Sequence, residues 1–207
     1  MKSGIIILLL AALGGCVNLG GEQRPSTTYL LTDAHIATPN AHPQAHTLMV
    51  APMRSSSFDD NDALVFANTA NTRGRYQLAR WSQRPSSRLG ELLFNRLIAS
   101  QIYTSIAHTD SDIVADRLLT TELLSLYHDA STQPGQVKIS VRATLYDNQQ
   151  HSLLARKTFE QTVPVATFNA AGAASAFNIA STQLIDDMLT WLTPAAVSSS
   201  SVPAHSH

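Results

Sequence analysis

Apolar and polar residues alternate with a period of two through Gln136–Asp147. Val137, Ile139, Val141, Ala143 and Leu145 point one way, and Lys138, Ser140, Arg142, Thr144 and Tyr146 the other, which predicts a half-buried strand. Leu153–Val165 repeats the pattern, with Phe159, Gln161 and Val163 alternating against Thr158, Glu160 and Thr162. Arg117–His128 reads as a third strand whose shared face carries Leu119, Thr121, Leu123, Ser125 and Tyr127. The polar stretches Asp129–Gly135 and Asn148–His151 separate these runs, so they predict a three-strand antiparallel meander. Two segments change to the helical period. Behind Pro85, Leu89, Leu92, Leu93, Leu97 and Ile98 form one apolar stripe ending near Ser100. Ser86 or Ser87 is placed to cap that helix, and Glu91 in an early turn suits its dipole. Over Ala170–Leu192, Phe177, Ala180, Leu184, Ile185, Met188, Trp191 and Leu192 define a broad apolar face.

Shorter β-rich runs lie outside this frame at Thr27–Thr32, Thr47–Met53, Ala63–Ala67, Arg75–Trp81 and Tyr103–His108. Residues 35–46, with two prolines and three histidines, read as a loop, and Ser55–Asp62 and Asn68–Gly74 as turns. The predicted fold class is α+β: a single domain over residues 27–193, with a mainly antiparallel sheet packed against two amphipathic helices.

The amino terminus follows a different logic. In MKSGIIILLLAALGGC, Lys2 precedes the apolar run Ile5–Leu13, which is too short to span a hydrocarbon core needing about 20 residues. It fits an export signal over residues 1–15. Leu13-Gly14-Gly15-Cys16 resembles the bacterial lipobox, where cleavage before the cysteine leaves a thiol that is lipidated. Cys16 is the only cysteine in the chain. Each buried methylene adds about 0.8 kcal/mol, so several acyl chains, palmitate among them, give a lasting anchor. Residues 16–26 then form a polar tether, and residues 194–207 a Ser-rich tail expected to be disordered. Val17 after the cysteine, in place of Asp, favours the outer membrane, facing the periplasm.

Composition narrows the function by exclusion. With 44% apolar residues the chain can build a core, and a net charge of −1 leaves no basic excess for nucleic acid. A single cysteine excludes an internal disulfide framework and a multi-cysteine metal site. There is no phosphate-binding G-x-x-x-x-G-K-[ST] loop and no G-x-S-x-G elbow. His42 and His46 have a helical ligand spacing, but Pro43 separates them and the segment reads as a loop. Asp59, Asp60 and Asp62 are a fragment of a calcium loop without its glycine and glutamate, so they read as a solvated turn. Asp186 and Asp187 point about 100° apart on the last helix and read as a polar face. No catalytic residue, metal site or cofactor is expected. Trp81 has two readings: a core aromatic bracing the strand–helix junction, or, with Arg80, a surface anchor for a partner protein.

In order behind the lipobox stand Tyr29-Leu30-Leu31, Val50-Ala51-Pro52 and Tyr76–Pro85 (YQLARWSQRP), then three long strands and a closing helix. This succession resembles the ABC-type transport auxiliary lipoprotein family, which includes the paraquat-inducible type of outer-membrane lipoprotein. The loop 35–46, the Ser-rich tail and residues 55–74 carry no matching signature. The resemblance implies a non-catalytic, lipid-anchored subunit on the periplasmic face of the outer membrane. It would dock a mammalian-cell-entry-type protein of a system with an ABC ATPase and a permease, moving lipids or other hydrophobic molecules between membranes. Self-association is expected with it, and nucleic acid is not a partner. The competing readings are a lipoprotein regulator of a cell-envelope enzyme, such as a peptidoglycan synthase, and an envelope enzyme whose site spacing does not reveal.

Overall fold

In the computed structural model the described residues are 26–193, so the export signal, Cys16, nearly all of the tether and the Ser-rich tail lie outside them. The elements follow in the order β1 (Thr27–Tyr29), β2 (Gln44–Val50), β3 (Arg54–Ser55), β4 (Ala63–Ala67), β5 (Gly74–Trp81), α1 (Pro85–Ser100), β6 (Tyr103–His108), β7 (Arg117–Asp129), β8 (Gln136–Asp147), β9 (Ser152–Pro164) and α2 (Ala170–Leu192). The strands form one mixed sheet beside two helices, an α+β domain.

The sheet is organised by β7. Its one edge pairs along its full length with antiparallel β8, which pairs in turn with antiparallel β9, so the meander is present. Its other edge takes three short strands in succession, all parallel to it. Leu48–Val50 lie opposite Arg117–Leu119, Arg54–Ser55 opposite Glu122–Leu123, and Phe66–Ala67 opposite His128–Asp129. Residues 48–67 thus run beside β7 as one interrupted strand. The sheet forks there: β4 leads to antiparallel β5 and parallel β1, while β2 leads to parallel β6.

The interruption between β3 and β4 would leave the β7 ladder short of acceptors, and a buried N–H without a partner is costly. Asp59 fills the gap. It is only 3% exposed, and its carboxylate accepts the Leu126 N–H at 3.2 Å and the Arg73 Nε–H at 3.0 Å. The neighbouring Asp60 accepts both the N–H and the hydroxyl of Ser86, at 2.9 and 2.8 Å. These two acids are therefore struts inside the fold, not a solvated turn. The cap of α1 changes with them. Arg84 is the N-cap and gives no side-chain bond, so the orphan Ser86 N–H is satisfied by an acid 26 residues upstream.

One extra residue in β7, between Leu123 and Ser125, shifts the register against β8. A bulge of one residue exchanges the two faces of a strand. Leu119, Thr121 and Leu123 face the core as expected, but beyond the bulge Leu126 and His128 replace Ser125 and Tyr127 there, both at 0% exposure. In α1 the buried stripe is Leu89, Leu92, Leu93, Arg96, Leu97 and Ser100, and Ile98 stands outside it, about half exposed. The apolar face of α2 is buried as the periodicity predicts. Its Phe177 and Trp191 meet Trp81 and Phe159 edge-on, with centroids 5.5 and 5.7 Å apart.

The first strand ends at Tyr29, not Thr32, because the following backbone leaves the sheet for the helices. Thr32 N–H donates to Asn178 Oδ1 at 3.0 Å and Ala34 N–H to Thr182 Oγ1 at 3.1 Å. From α1, Arg88 Nε–H donates to the Leu31 carbonyl at 2.9 Å. Asn178, Thr182 and Asp186 are four residues apart, hence on one face of α2. Residues 31–35 form a strap held between α1 and α2. Likewise β2 begins at Gln44, inside the expected loop, since Gln44 N–H bonds the Ile102 carbonyl and its side chain donates to Leu192 O at 2.8 Å.

Candidate functional site

Besides the Asp59 and Asp60 struts, two further polar clusters stand out among the described residues, one around Arg96 and one around His128. Arg96, 4% exposed, sends a two-pronged contact from Nε and Nη2 to the Asp33 carboxylate, with the Nε bond at 2.7 Å. Its Nη1 reaches Asp186 at 2.6 Å, and His35 Nδ1 lies 3.1 Å from the same carboxylate. Asp186 therefore clamps the strap rather than forming part of a bare polar face, while Asp187 accepts Gln161 Nε2–H at 2.7 Å. The buried guanidinium is satisfied by two acids, as a desolvated cation must be.

The second cluster is His128 with Tyr76. His128 Nε2 is 3.0 Å from the Pro134 carbonyl, which can only accept, so that nitrogen carries the hydrogen. Nδ1 is then the acceptor for the Tyr76 hydroxyl at 2.8 Å. Burial pushes the Tyr76 phenol up, which keeps it the donor. A base beside a hydroxyl is the geometry of an activated nucleophile. Here the imidazole is at 0% exposure and the phenol is partly buried.

The Arg80–Trp81 pair is split. Arg80 is exposed, but Trp81 is 2% exposed against Phe177, with no acceptor for its Nε1 among the described residues. Of its two readings the core aromatic is the one the structure adopts, and the indole is not on the surface for a partner. His46 stands in β2 rather than a loop, 3.8 Å from Asp116. Among the described residues no three His, Cys, Asp or Glu side chains come together as a metal site, and no helix is long and apolar enough to cross a membrane.

The helices leave the other face of the meander uncovered. There a groove of about 530 Å³ opens along β3, β7, β8 and β9. The registers place its side chains. Arg54 lies opposite Glu122, Glu122 opposite Arg142, and in the next row Thr120 opposite Thr144 and Thr144 opposite Arg156. All of these line the groove, with Tyr146 at its end. Arg142 Nη1 donates to Glu122 at 3.0 Å, and Arg156 Nε donates to Thr144 Oγ1 at 3.2 Å. Sequence reading passes over these arginines because each looks like an ordinary outward strand position. What joins them is the pairing of β3, early in the chain, with β7 of the late β7–β8–β9 meander.

The family model described as the ABC-type transport auxiliary lipoprotein component matches residues 29–189. No functionally curated protein shows significant sequence similarity to the chain. Among solved structures, protein XCC0632 from Xanthomonas campestris is 24% identical with a TM-score of 0.72, over 81% of this chain and 94% of that one. The hypothetical protein CT253 from Chlamydia trachomatis is 8% identical with a TM-score of 0.51, over 72% and 96%. At these identities the two structures establish a shared fold.

Proposed function

Because the chain belongs to the ABC-type transport auxiliary lipoprotein family, we propose that it is the outer-membrane-anchored docking component of a transport system for lipids or other hydrophobic molecules. Cys16 carries the lipid, the tether spans to the domain, and the domain works by surface recognition rather than catalysis. Its partner is a mammalian-cell-entry-type periplasmic protein serving an ABC ATPase and a permease in the inner membrane. The observation that carries this reading is the family match, which spans nearly all of the described domain. The full burial of the His128 imidazole, the base in the imidazole–phenol pair, supports a non-catalytic role.

The test is membrane fractionation of wild type and Cys16→Ala in the producing cell, with mass spectrometry of what co-purifies. Wild type is expected in outer-membrane fractions with the mammalian-cell-entry-type protein, and Cys16→Ala is expected folded but released. A variant that still pellets after a salt wash refutes the anchor. Recovery of a peptidoglycan synthase in place of transport components would assign the chain to envelope-enzyme regulation.

A further inference from the structure

We propose that the arginine-lined groove on the open sheet face binds a phosphate group, as the free ion or as the phosphodiester of a lipid headgroup. Three guanidinium groups, Arg54, Arg142 and Arg156, face this groove against one carboxylate, Glu122. That carboxylate is already engaged, by Arg142 and by the Ser56 hydroxyl at 3.2 Å. Arg54 has no hydrogen bond or ion pair among the described residues, and Arg156 uses only its Nε, on Thr144. Elsewhere Arg73, Arg88, Arg96 and Lys138 meet acids, while Arg75 and Lys157 lie over the Phe58 and Phe159 rings and Arg80, Arg84 and Arg117 pair with no acid among the described residues. What sets Arg54 and Arg156 apart is that both line one groove, where three guanidinium groups face a single acid in a chain whose net charge is −1.

Hydroxyl chemistry selects the kind of anion. Thr144 Oγ1 accepts from Arg156, which leaves its own hydrogen free to donate. The Thr120 and Tyr146 hydroxyls also line the groove and have no partner among the described residues. Planar guanidinium forks with hydroxyl donors between them match an anion offering several oxygens in different directions, and arginine recognises phosphate in this two-pronged way. Arg54 on β3 and Arg156 on β9 stand on opposite walls of the groove in adjacent rows, three strand spacings or about 14 Å apart, with Arg142 on β8 between them. The volume is that of a small-molecule site. This site is independent of the anchor and of the partner assigned above.

The test is a calorimetric titration of the purified full chain at low salt with three probes: inorganic phosphate, dihexanoyl phosphatidylglycerol below its micelle concentration, and a glutamate-rich peptide. Saturable binding of either phosphorus-bearing probe is expected, weakened at least tenfold in Arg54→Gln and in Arg156→Gln. Phosphate binding alone identifies the free ion as the ligand, and preference for the lipid identifies the headgroup. Glu122→Gln frees the Arg142 fork and is expected to tighten binding severalfold, an effect that a merely structural groove would not produce. Unchanged thermal unfolding of the variants would show that each is folded. No saturation by either phosphate probe, wild-type affinity in both arginine variants, or stronger binding of the peptide would overturn the proposal.

Discussion

Asp129, at the mouth of the β7–β8 hairpin, shows how much one surface acid is held by its neighbours. Lys138 Nζ lies 2.8 Å from its carboxylate, and the Ser131 hydroxyl donates to it at 2.7 Å. The Lys138 contact first, then the Ser131 hydroxyl, lower its pKa from the ordinary 3.8 to about 2. A carboxylate with a depressed folded pKa contributes stability above its unfolded value and loses it as pH falls through the folded one. The stabilising effect of Asp129 is therefore complete above about pH 4 and gone below about pH 2. Urea unfolding of wild type and Asp129→Asn across that window should show a gap in stability that closes on acidification; a gap constant with pH would contradict the assignment. Lys138 shifts up, chiefly through Asp129, so its share persists to its ordinary 10.5 and is lost above that. Next to this pair, Gly135 sits at φ +82°, where a Cβ would meet the Asp129 carbonyl and the His128 ring, so the hairpin needs glycine at that place.

At the scale of elements, the decisive contact is the side-chain rung that Asp59 supplies where the partner strand of β7 breaks. Hydrogen bonds to charged groups are worth about 1.5–3 kcal/mol. Asp59→Ala is expected to lose about that much in denaturant unfolding. Asp59→Asn keeps an oxygen for Leu126 N–H while giving up the ion pair to Arg73, and should recover part of the loss. Equal losses in the two variants would show that the rung contributes nothing. This rung also marks where the sequence stops being legible. Strand β8 and helix α2 were readable because each repeats one pattern on one face with no break. The faces of β7 beyond Leu123 were not, since a one-residue bulge leaves no mark in composition. Arg96 was hidden for a related reason: a cation on the core stripe of α1 makes sense only once Asp33 and Asp186 arrive from distant segments. Asp186 was visible as part of a polar face, but Asn178 and Thr182 were not picked out with it, nor was what the face holds, because the strap comes from about 150 residues away. The groove arginines belong to the same class.

At the scale of the whole molecule, the amino-terminal limit of the fold lies at β1. Removing residues 1–25 takes nothing from the described fold, whereas removing residues 1–36 deletes β1, the fully buried Leu31 and Asp33, one of the two acids that meet Arg96. Breaking a buried ion pair from one side costs about 3–5 kcal/mol, and the lost Leu31 adds about 2–3 kcal/mol for its burial. The shorter deletion is expected to melt like the full chain. The longer one should be unfolded or melt far lower, as read by circular dichroism on heating. Equal melting of the two would show that the strap is dispensable.

That strap also decides how the domain would respond to traction. Tension entering at Ser26 would not peel a loose end from the rim of the sheet alone. Behind the three residues of β1 it would be caught by a cleat: Arg88 and Arg96 on one side, Asn178, Thr182 and Asp186 on the other. Under the anchoring proposed above, a tug from the membrane side would thus be shared across both helices, and the body would travel with its leash as one piece.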